Sequence, residues 1–415
     1  MYSKIHAIVL DPSKCVGCTN CLKRCPTEAI RVKSGHSKIV KERCINCGQC
    51  IQACPRHARY GSTDDLDQIN QYRYKIALVD PVLYGQFHEV FTPGQILKGI
   101  LKMGFDSYFE ISQGADLINE LTQEIIPGAK KLPIISSSCP TIVRLIQLRF
   151  PDLIDHILPI DSPVEISAQL ARKKAMISHG FLEEEIGVFY ISPCPARIFS
   201  FVRPVGIEKS KISGTLSVKS VFLTISKEME KKSAEDEPYY DSGMGIGWAR
   251  SGGQSYALGI KEFLAVDGIQ NVISVLEEIE YHKIKDLVFL ECHACTNGCV
   301  GGSLTLENSF VARNRIRRLA EQHGTPPPLN PSPDIKDYQL TEPLVPLSVI
   351  QLDEDISKAI LKMDQIERVL KTLPNIDCGA CGSPSCRALA EDVVLGFAQP
   401  GDCIVMLKHR LEQDQ

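Results

Sequence analysis

Cysteines carry the chemistry of this 415-residue chain, and their spacing says which chemistry. Residues 15–26 read Cys15-Val16-Gly17-Cys18-Thr19-Asn20-Cys21-Leu22-Lys23-Arg24-Cys25-Pro26. Residues 44–55 repeat the pattern, with Cys44, Cys47, Cys50 and Cys54 ahead of Pro55. In CxxCxxCxxxCP, three thiolates in a tight loop can cap three irons of a [4Fe–4S] cube, and a distant fourth closes the site. A pair of zinc sites is the plainer alternative, and the duplicated spacing with its prolines speaks against it. A second group sits at the ends of apolar runs. Leu287-Val288-Phe289-Leu290 leads into Glu291-Cys292-His293-Ala294-Cys295-Thr296-Asn297-Gly298-Cys299-Val300-Gly301-Gly302, while Cys139 follows the run 133–135 and Cys194 the run 188–191. Taken singly, a buried Cys is usually a small hydrophobe. Taken together, beside Pro or Gly at three strand ends, Cys139, Cys194, Cys295 and Cys299 point to one four-thiolate site. The third group is Cys378, Cys381, Cys386 and Cys403, where a zinc knuckle is the alternative; the turn lacks the histidines and second CxxC usual for zinc.

Composition agrees with metal chemistry. Seventeen cysteines without a signal peptide at Met1-Tyr2-Ser3-Lys4 are expected in a reducing cytoplasm, where disulfides are rare. A net charge of -4 and a pI near 6.2 give no reason to expect nucleic acid, and no apolar run approaches a membrane span. The elements that must position the thiols alternate. Strands are expected at 76–79, 107–111, 133–135 and 188–191, with helices at 93–103, 117–126 and 141–149 between them. This predicts an α/β domain of two lobes with partly parallel sheets, its ligands at the strand C-termini. Residues 62–67 read as a polar linker and 227–237 as a solvated charge run. The glycines at 242–247 and 251–253 fit no phosphate-binding pattern, so Gly252 and Gly253 are expected to let backbone approach a cofactor. A proline-rich stretch opens at 325. Beyond it 352–373 reads as an amphipathic helix with Ile356, Ile360, Met363, Ile366 and Leu370 near one stripe. The expected boundaries are 1–70, 71–324, a linker at 325–345, and 346–415.

Three resemblances follow from these motifs. Residues 5–60 resemble bacterial two-cluster ferredoxins, an α+β fold whose fourth ligands cross over. This implies one cluster on Cys15, Cys18, Cys21 and Cys54 and another on Cys44, Cys47, Cys50 and Cys25. CxxCGxPxC from Cys378 to Cys386, with Cys403 beyond, resembles a small helical [4Fe–4S] accessory domain fused to several redox proteins. Residues 75–320 resemble the catalytic domain of [FeFe]-hydrogenases, whose signatures run close to TSCCP, MPCxxK and ExMACxxGC. Here they are Ser137-Ser138-Cys139-Pro140, Ser192-Pro193-Cys194-Pro195-Ala196-Arg197 and the stretch 291–299.

That resemblance implies reversible cleavage of H2 into protons and electrons at an H-cluster. Its cubane would sit on Cys139, Cys194, Cys295 and Cys299. Cys299 would bridge to a diiron azadithiolate subsite with CO and cyanide ligands, near Pro81. With the three accessory [4Fe–4S] clusters, only Cys292 is spare. The departures fall on the proton relay and outer shell. Ser138 stands where the family has a proton-donor Cys, and a hydroxyl is a far weaker acid than a thiol. Glu110 is the only acid close upstream, with Asp116 further along, and Leu158 takes a relay Ser position. Arg197 replaces a Lys near cyanide, and His293 replaces a Met. His293 is expected either to raise the cubane's potential or to satisfy a buried backbone group. Such losses resemble the sensory, HydS-like subgroup: slow turnover, with H2 or redox state reported to a redox or signalling partner, diiron loading by maturases, and room for a homodimer. The competing expectation is a hydrogenase-like iron–sulfur assembly or electron-transfer protein without a diiron subsite.

Overall fold

The computed structural model describes residues 6–229, 236–240, 242–325, 334–347 and 352–413. They form two compact units. One joins Met1–Ala7 to Gly61–Pro346, and the other joins Ile8–Tyr60 to Leu347–Gln415. The N-terminal cysteine repeat and the C-terminal cysteine domain, expected as separate bodies, therefore share one unit.

In that smaller unit β1 (Ile8–Leu10), β2 (Ile30–Lys33), β3 (His36–Ile39) and β4 (Arg59–Gly61) make two short sheets, β1 with β4 and β2 with β3. The β2–β3 pair is antiparallel and closes with Lys33 opposite His36. Ser34 and Gly35, both at positive φ, make the tight turn that such a hairpin needs. The C-terminal segment docks on this hairpin. Val32 N donates to Gly382 O at 2.7 Å. Gly382 sits at φ +84°, and a Cβ there would lie 1.9 Å from Val32 O, so only glycine allows the approach. Two buried ion pairs fix the register: Arg31 Nε to Asp392 Oδ2 at 2.6 Å and Arg43 Nη2 to Glu391 Oε2 at 2.5 Å. The expected helix at 352–373 runs Ile356–Thr372, capped by Asp355 Oδ1 accepting from Ser357 N and Lys358 N. Its apolar stripe is only partly used. Ile366 is buried, whereas Ile356, Ile360 and Met363 are exposed, because the small cysteine domain covers only the helix's C-terminal half.

The larger unit holds two sheets in which every pairing is parallel. β5 (Tyr74–Val79), β6 (Ser107–Glu110), β8 (Ile186–Ser192) and β9 (Gly214–Ser217) lie in the order β6-β5-β8-β9. β7 (Ile134–Ile135), β10 (Phe263–Asp267) and β11 (Phe289–His293) lie in the order β10-β11-β7. β8 is buried along its whole length, as a central parallel strand covered on both faces must be, which explains its unbroken apolar reading. The helix expected at 117–126 starts earlier, at Ile111, and runs to Ile125. Helices Pro140–Arg149 and Pro195–Val202 each begin on a proline directly after a cysteine, the position where a missing N–H costs nothing.

Two expected linkers are structured instead. In 62–67, Asp64 is buried and its Oδ2 accepts from Thr215 N at 2.8 Å and Thr215 Oγ1 at 3.3 Å, pinning the segment to β9. Within 325–345, Tyr338 is buried, its O accepts from Asp161 N at 2.9 Å, and Leu340 N donates to Pro159 O at 3.1 Å. Residues 326–333, and 230–235 of the charge run, lie outside the described residues. Among the described residues no helix is long and apolar enough to cross a membrane.

Candidate metal centre

Parallel strands aim their C-termini one way, and here both sheets aim theirs at the same place. Cys139 follows β7, Cys194 follows β8, and Cys295 and Cys299 follow β11. Cys139 and Cys194 are the N-cap residues of the helices behind them. The four sulfurs feel one another. Burial first, then proximity to Cys194, Cys139 and Cys299, pushes the Cys295 thiol well above its ordinary range. Burial likewise pushes Cys194 up to about 12, against the pull of Arg197. For Cys299 burial also works upward, but the Arg197 guanidinium and the His293 imidazole outweigh it and hold this thiol low. Its thiolate is thus favoured where those of Cys194 and Cys295 are opposed. Cys292 is fully buried. Burial, with Cys139 and Glu291 near it, pushes its thiol up, so it stays a neutral packing group.

Beside Cys299 lies a cavity of about 340 Å³ whose wall includes Asp80, Pro81, Ser138, Arg197, Gly245 and His293. Pro81, Ser138, Arg197 and His293 are therefore brought together as expected of one site. Arg197 is clamped from three sides: Nη2 donates to Cys299 Sγ at 3.5 Å, Nη1 to Tyr190 Oη at 3.3 Å, and Nη1 lies 3.5 Å from Asp80 Oδ2. Tyr190 Oη donates to Asp80 Oδ2 at 2.9 Å and completes the clamp. Burial alone would weaken the guanidinium's charge, but Tyr190, Cys299 and Asp80 more than restore it.

His293 stands between Glu291 and Cys299. Its ring bonds Glu291 Oε1 through Nε2 at 2.9 Å and also bonds Cys299, and among the described residues no backbone group bonds the ring. Burial opposes the imidazolium, and Cys299 and Glu291 outweigh burial, so the ring stays protonated well above its ordinary range. Glu291 in turn accepts from Gly252 N, Ser255 N and Ser255 Oγ, each at 2.8 Å. Gly252 and Gly253 thus differ from expectation. They do not line the cavity; Gly252 holds Glu291, and a Cβ on Gly253 would lie 1.9 Å from Gly247 O.

Glu110 also stands away from the cavity wall, although its neighbour Ile111 is in it. Its Oε1 accepts from Tyr84 Oη at 2.6 Å and its Oε2 from Tyr240 N at 2.5 Å. Burial pushes its carboxyl up to about 7 despite both bonds. Ser138 Oγ lies 3.0 Å from Ser136 Oγ, which in turn lies 2.5 Å from Gln254 Oε1. That chain ends at a buried amide whose Nε2 has no hydrogen-bond partner among the described residues, so it is no exit for protons. Leu158 is buried in an apolar cluster with Ile118, Leu121, Ile166 and Trp248, which leaves no polar path there.

The accessory thiols lie in two groups of four in the N-terminal repeat and one at the C-terminal side. Cys15, Cys18, Cys21 and Cys54 line one pocket. Cys25 stands near Cys44, Cys47 and Cys50; burial first, then Cys25 itself, raises the Cys47 thiol. The two crossing cysteines have matching surroundings: Ala29 N donates to Cys25 Sγ and Ala58 N to Cys54 Sγ, both at 3.2 Å. Cys381, Cys386 and Cys403 pack together, with Cys378 close by. Among the described residues no three Cys, His, Asp or Glu side chains close on a single-ion point.

Asp80, Tyr190 and Glu291 act at this site without having been singled out. Asp80-Pro81 at the end of a strand was the available signal for the first, and the place of Glu291 inside the third signature for the last.

Comparison with known proteins agrees with this geometry. Residues 73–261 match the family described as "Iron only hydrogenase large subunit, C-terminal domain", residues 7–55 a "4Fe-4S dicluster domain", and residues 373–405 a "Putative Fe-S cluster". The chain is 28% identical over 245 residues to the periplasmic [Fe] hydrogenase large subunit of Nitratidesulfovibrio vulgaris, covering 53% of this chain and 56% of that protein. It is 24% identical over 218 residues to iron hydrogenase 1 of Clostridium pasteurianum, covering 49% of this chain and 37% of that protein. The chain thus spans about half or less of the length of these relatives. A solved [FeFe]-hydrogenase HydA structure, from a study of H-cluster assembly, superposes with a TM-score of 0.51 at 16% identity, covering 67% of this chain and 94% of that one. A variant of HydA1 from Chlamydomonas reinhardtii gives 0.50 at 17% identity, covering 66% and 91%. These superpositions show a shared fold.

Proposed function

We propose that this chain, whose residues 73–261 carry an iron-only hydrogenase large-subunit domain, is a slow [FeFe]-hydrogenase that reports H2 or redox state. The observation that carries the reading is the meeting of Cys139, Cys194, Cys295 and Cys299 at strand C-termini beside a cavity walled by Asp80, Pro81, Ser138, Arg197 and His293. The donor set fits an H-cluster: four thiols for the cubane, one of them, Cys299, held low at the cavity edge, and a buried cation beside it. When bound, that group supplies the reversible cleavage of H2 into two protons and two electrons.

The chain's own residues do the rest. Arg197, held by Asp80 and Tyr190, offers a fixed positive charge to anionic ligands in the cavity. His293 donates to the sulfur of Cys299 and, through Glu291, is locked in orientation. Ser138 is the hydroxyl at the cavity wall, and the hydrocarbon around Leu158 denies it the usual continuation. Slow proton delivery with an intact binding site suits reporting better than flux. The dicluster and C-terminal cysteine sets, folded as one unit, are read as a three-cluster path to a redox or signalling partner. Seventeen cysteines suit a reducing compartment, so the chain is read as cytoplasmic, although one relative is named as periplasmic.

The deciding experiment is infrared spectroscopy after maturation with the diiron precursor. CO and cyanide bands that shift under H2 are expected. Cluster-loaded protein without such bands would instead be an iron–sulfur assembly or electron-transfer protein.

A further inference from the structure

A second and larger cavity, of about 590 Å³, lies on the other side of Ser138 and Arg197. These two side chains line both cavities and are the partition between them. The larger one is apolar along much of its wall, with Val143, Ile157 and Ile212, but carries a polar side formed by Ser137, Asp161, Ser162 and Glu165. Its outer rim is half-buried Pro204, Val205, Leu340 and Leu344. Thr341 N and Glu342 N tie the rim together by donating to Gly206 O at 2.8 and 2.9 Å. About 40 Å³ of it is open to a water-sized sphere, above the roughly 10–15 Å³ that one molecule needs, and several polar groups stand on one side, so water fits there.

Asp161 is the acid in this space with capacity to spare. Its Oδ1 accepts from Ser162 N at 2.6 Å, and no other protein donor bonds its carboxylate among the described residues. Glu165, by contrast, is committed: Oε1 accepts from Ser210 Oγ at 2.5 Å and Oε2 from Lys211 N at 2.8 Å. The groups that face Asp161 are Glu165 on its own flank, Tyr338 whose carbonyl accepts its backbone N–H, and Arg197 across the cavity. Lys211 and Arg172 act on Glu165 rather than on Asp161. Burial first, then Glu165, pushes the Asp161 carboxyl up to about 8, close to the working range of a proton carrier.

We propose that this cavity is the proton passage between Ser138 and solvent, and that Asp161 is its relay residue. The proposal rests on the hydrogenase reading. In the outward direction the Ser138 O–H proton passes to a cavity water, and a proton from the reactive side re-forms that O–H bond. The water's excess proton then converts the Asp161 carboxylate to the acid, which releases it to bulk water. One proton moves per cycle and nothing is oxidised or reduced.

The test compares wild type, Asp161→Asn and Asp161→Glu as full-length, cluster-reconstituted protein. In infrared difference spectra, a carboxylic C=O band should titrate as pH crosses about 8, vanish in the Asn variant and reappear displaced in the Glu variant. A spectrum in which Asp161→Asn removes no titrating band overturns the proposal, whether or not a diiron subsite is loaded. In diiron-loaded protein, isotope exchange between H2 and D2O should fall by about tenfold or more in Asp161→Asn and recover in Asp161→Glu, with CO and cyanide bands unmoved. Exchange at the wild-type rate in the Asn variant also overturns it. Absence of CO and cyanide bands from wild type fails the hydrogenase reading alone, and the carboxyl band still decides the relay.

Discussion

His293 Nε2 and Glu291 Oε1 lie 2.9 Å apart, two residues from each other on one buried strand end. Alternate residues of a strand share a face, so the pair is built into β11 itself, and the same ring reaches the sulfur of Cys299. A protonated ring beside a ligating sulfur favours the more electron-rich cluster. His293→Met should therefore lower the cubane's reduction potential, by about 60 mV for each tenfold of bias lost in a one-electron couple. Redox titration followed by electron paramagnetic resonance reads it directly, and a potential that stays put or rises would refute the tuning role.

Ser138 supplies a hydroxyl where a thiol would be the better proton donor. Ser138→Cys should raise H2 turnover by about 10²-fold, the lower end of what a well-placed acid contributes. Unchanged turnover with intact CO and cyanide bands would mean that this position does not limit the rate.

Arg31 and Asp392 meet at 2.6 Å with both side chains about nine-tenths buried. Asp392 Oδ2 also accepts from Ser383 Oγ at 3.2 Å, so the carboxylate depends on this network. Arg31→Ala strands a buried charge and should cost about 3–5 kcal/mol of the smaller unit's stability. Denaturant unfolding measures this, and a loss below 1 kcal/mol, roughly that of a surface pair, would show that the pair is not holding the segments together.

Glu110 titrates near pH 7 in the fold because burial raises it, against about 4.3 for an unperturbed glutamate. Its folded-state pKa is the higher one, so the folded state binds more protons between these values. Stability is therefore greatest below about pH 4.3 as far as this group is concerned, and declines as pH rises to 7. The full span is about 4 kcal/mol. Glu110→Gln should flatten that decline in thermal melts across the interval; an unchanged slope would mean that another group causes it.

Cys378→Ala should abolish the C-terminal cluster's spectroscopic signal and lower iron content while the other clusters persist. Zinc in the wild-type domain would overturn the iron–sulfur assignment.

The repeats were legible because CxxCxxCxxxCP spacing is local, and the four cysteines at three strand ends because each sits beside Pro or Gly after an apolar run, although they are far apart in the chain. The parallel sheets were legible from runs such as 188–191 in β8, which lead within a few residues to Cys194. What escaped depends on distant partners. Asp64 reads as linker polarity until Thr215 supplies two donors to it, and residues 334–345 read as spacer until Tyr338 is seen buried. Gly252 reads as a cofactor cradle, but its N–H belongs to Glu291, 39 positions on. The stripe on 352–373 has the right period and still leaves Ile356 and Ile360 outside, because periodicity says which residues share a face and not how much of that face is covered.

The smaller unit is built from the two ends of the chain, Ile8–Tyr60 and Leu347–Gln415. Synthesis runs from the N-terminus, so the first cysteine repeat leaves the ribosome long before Asp392 and Glu391 exist. Until the C-terminal segment is made, Arg31 has no Asp392 to meet, Arg43 has Glu28 but not Glu391, and Val32 N has no Gly382 O to bond. Completion of the accessory unit is thereby made a late event. A chain cut before residue 347 would still hold the residues of the larger unit and would lack Cys378, Cys381, Cys386 and Cys403 of the smaller one.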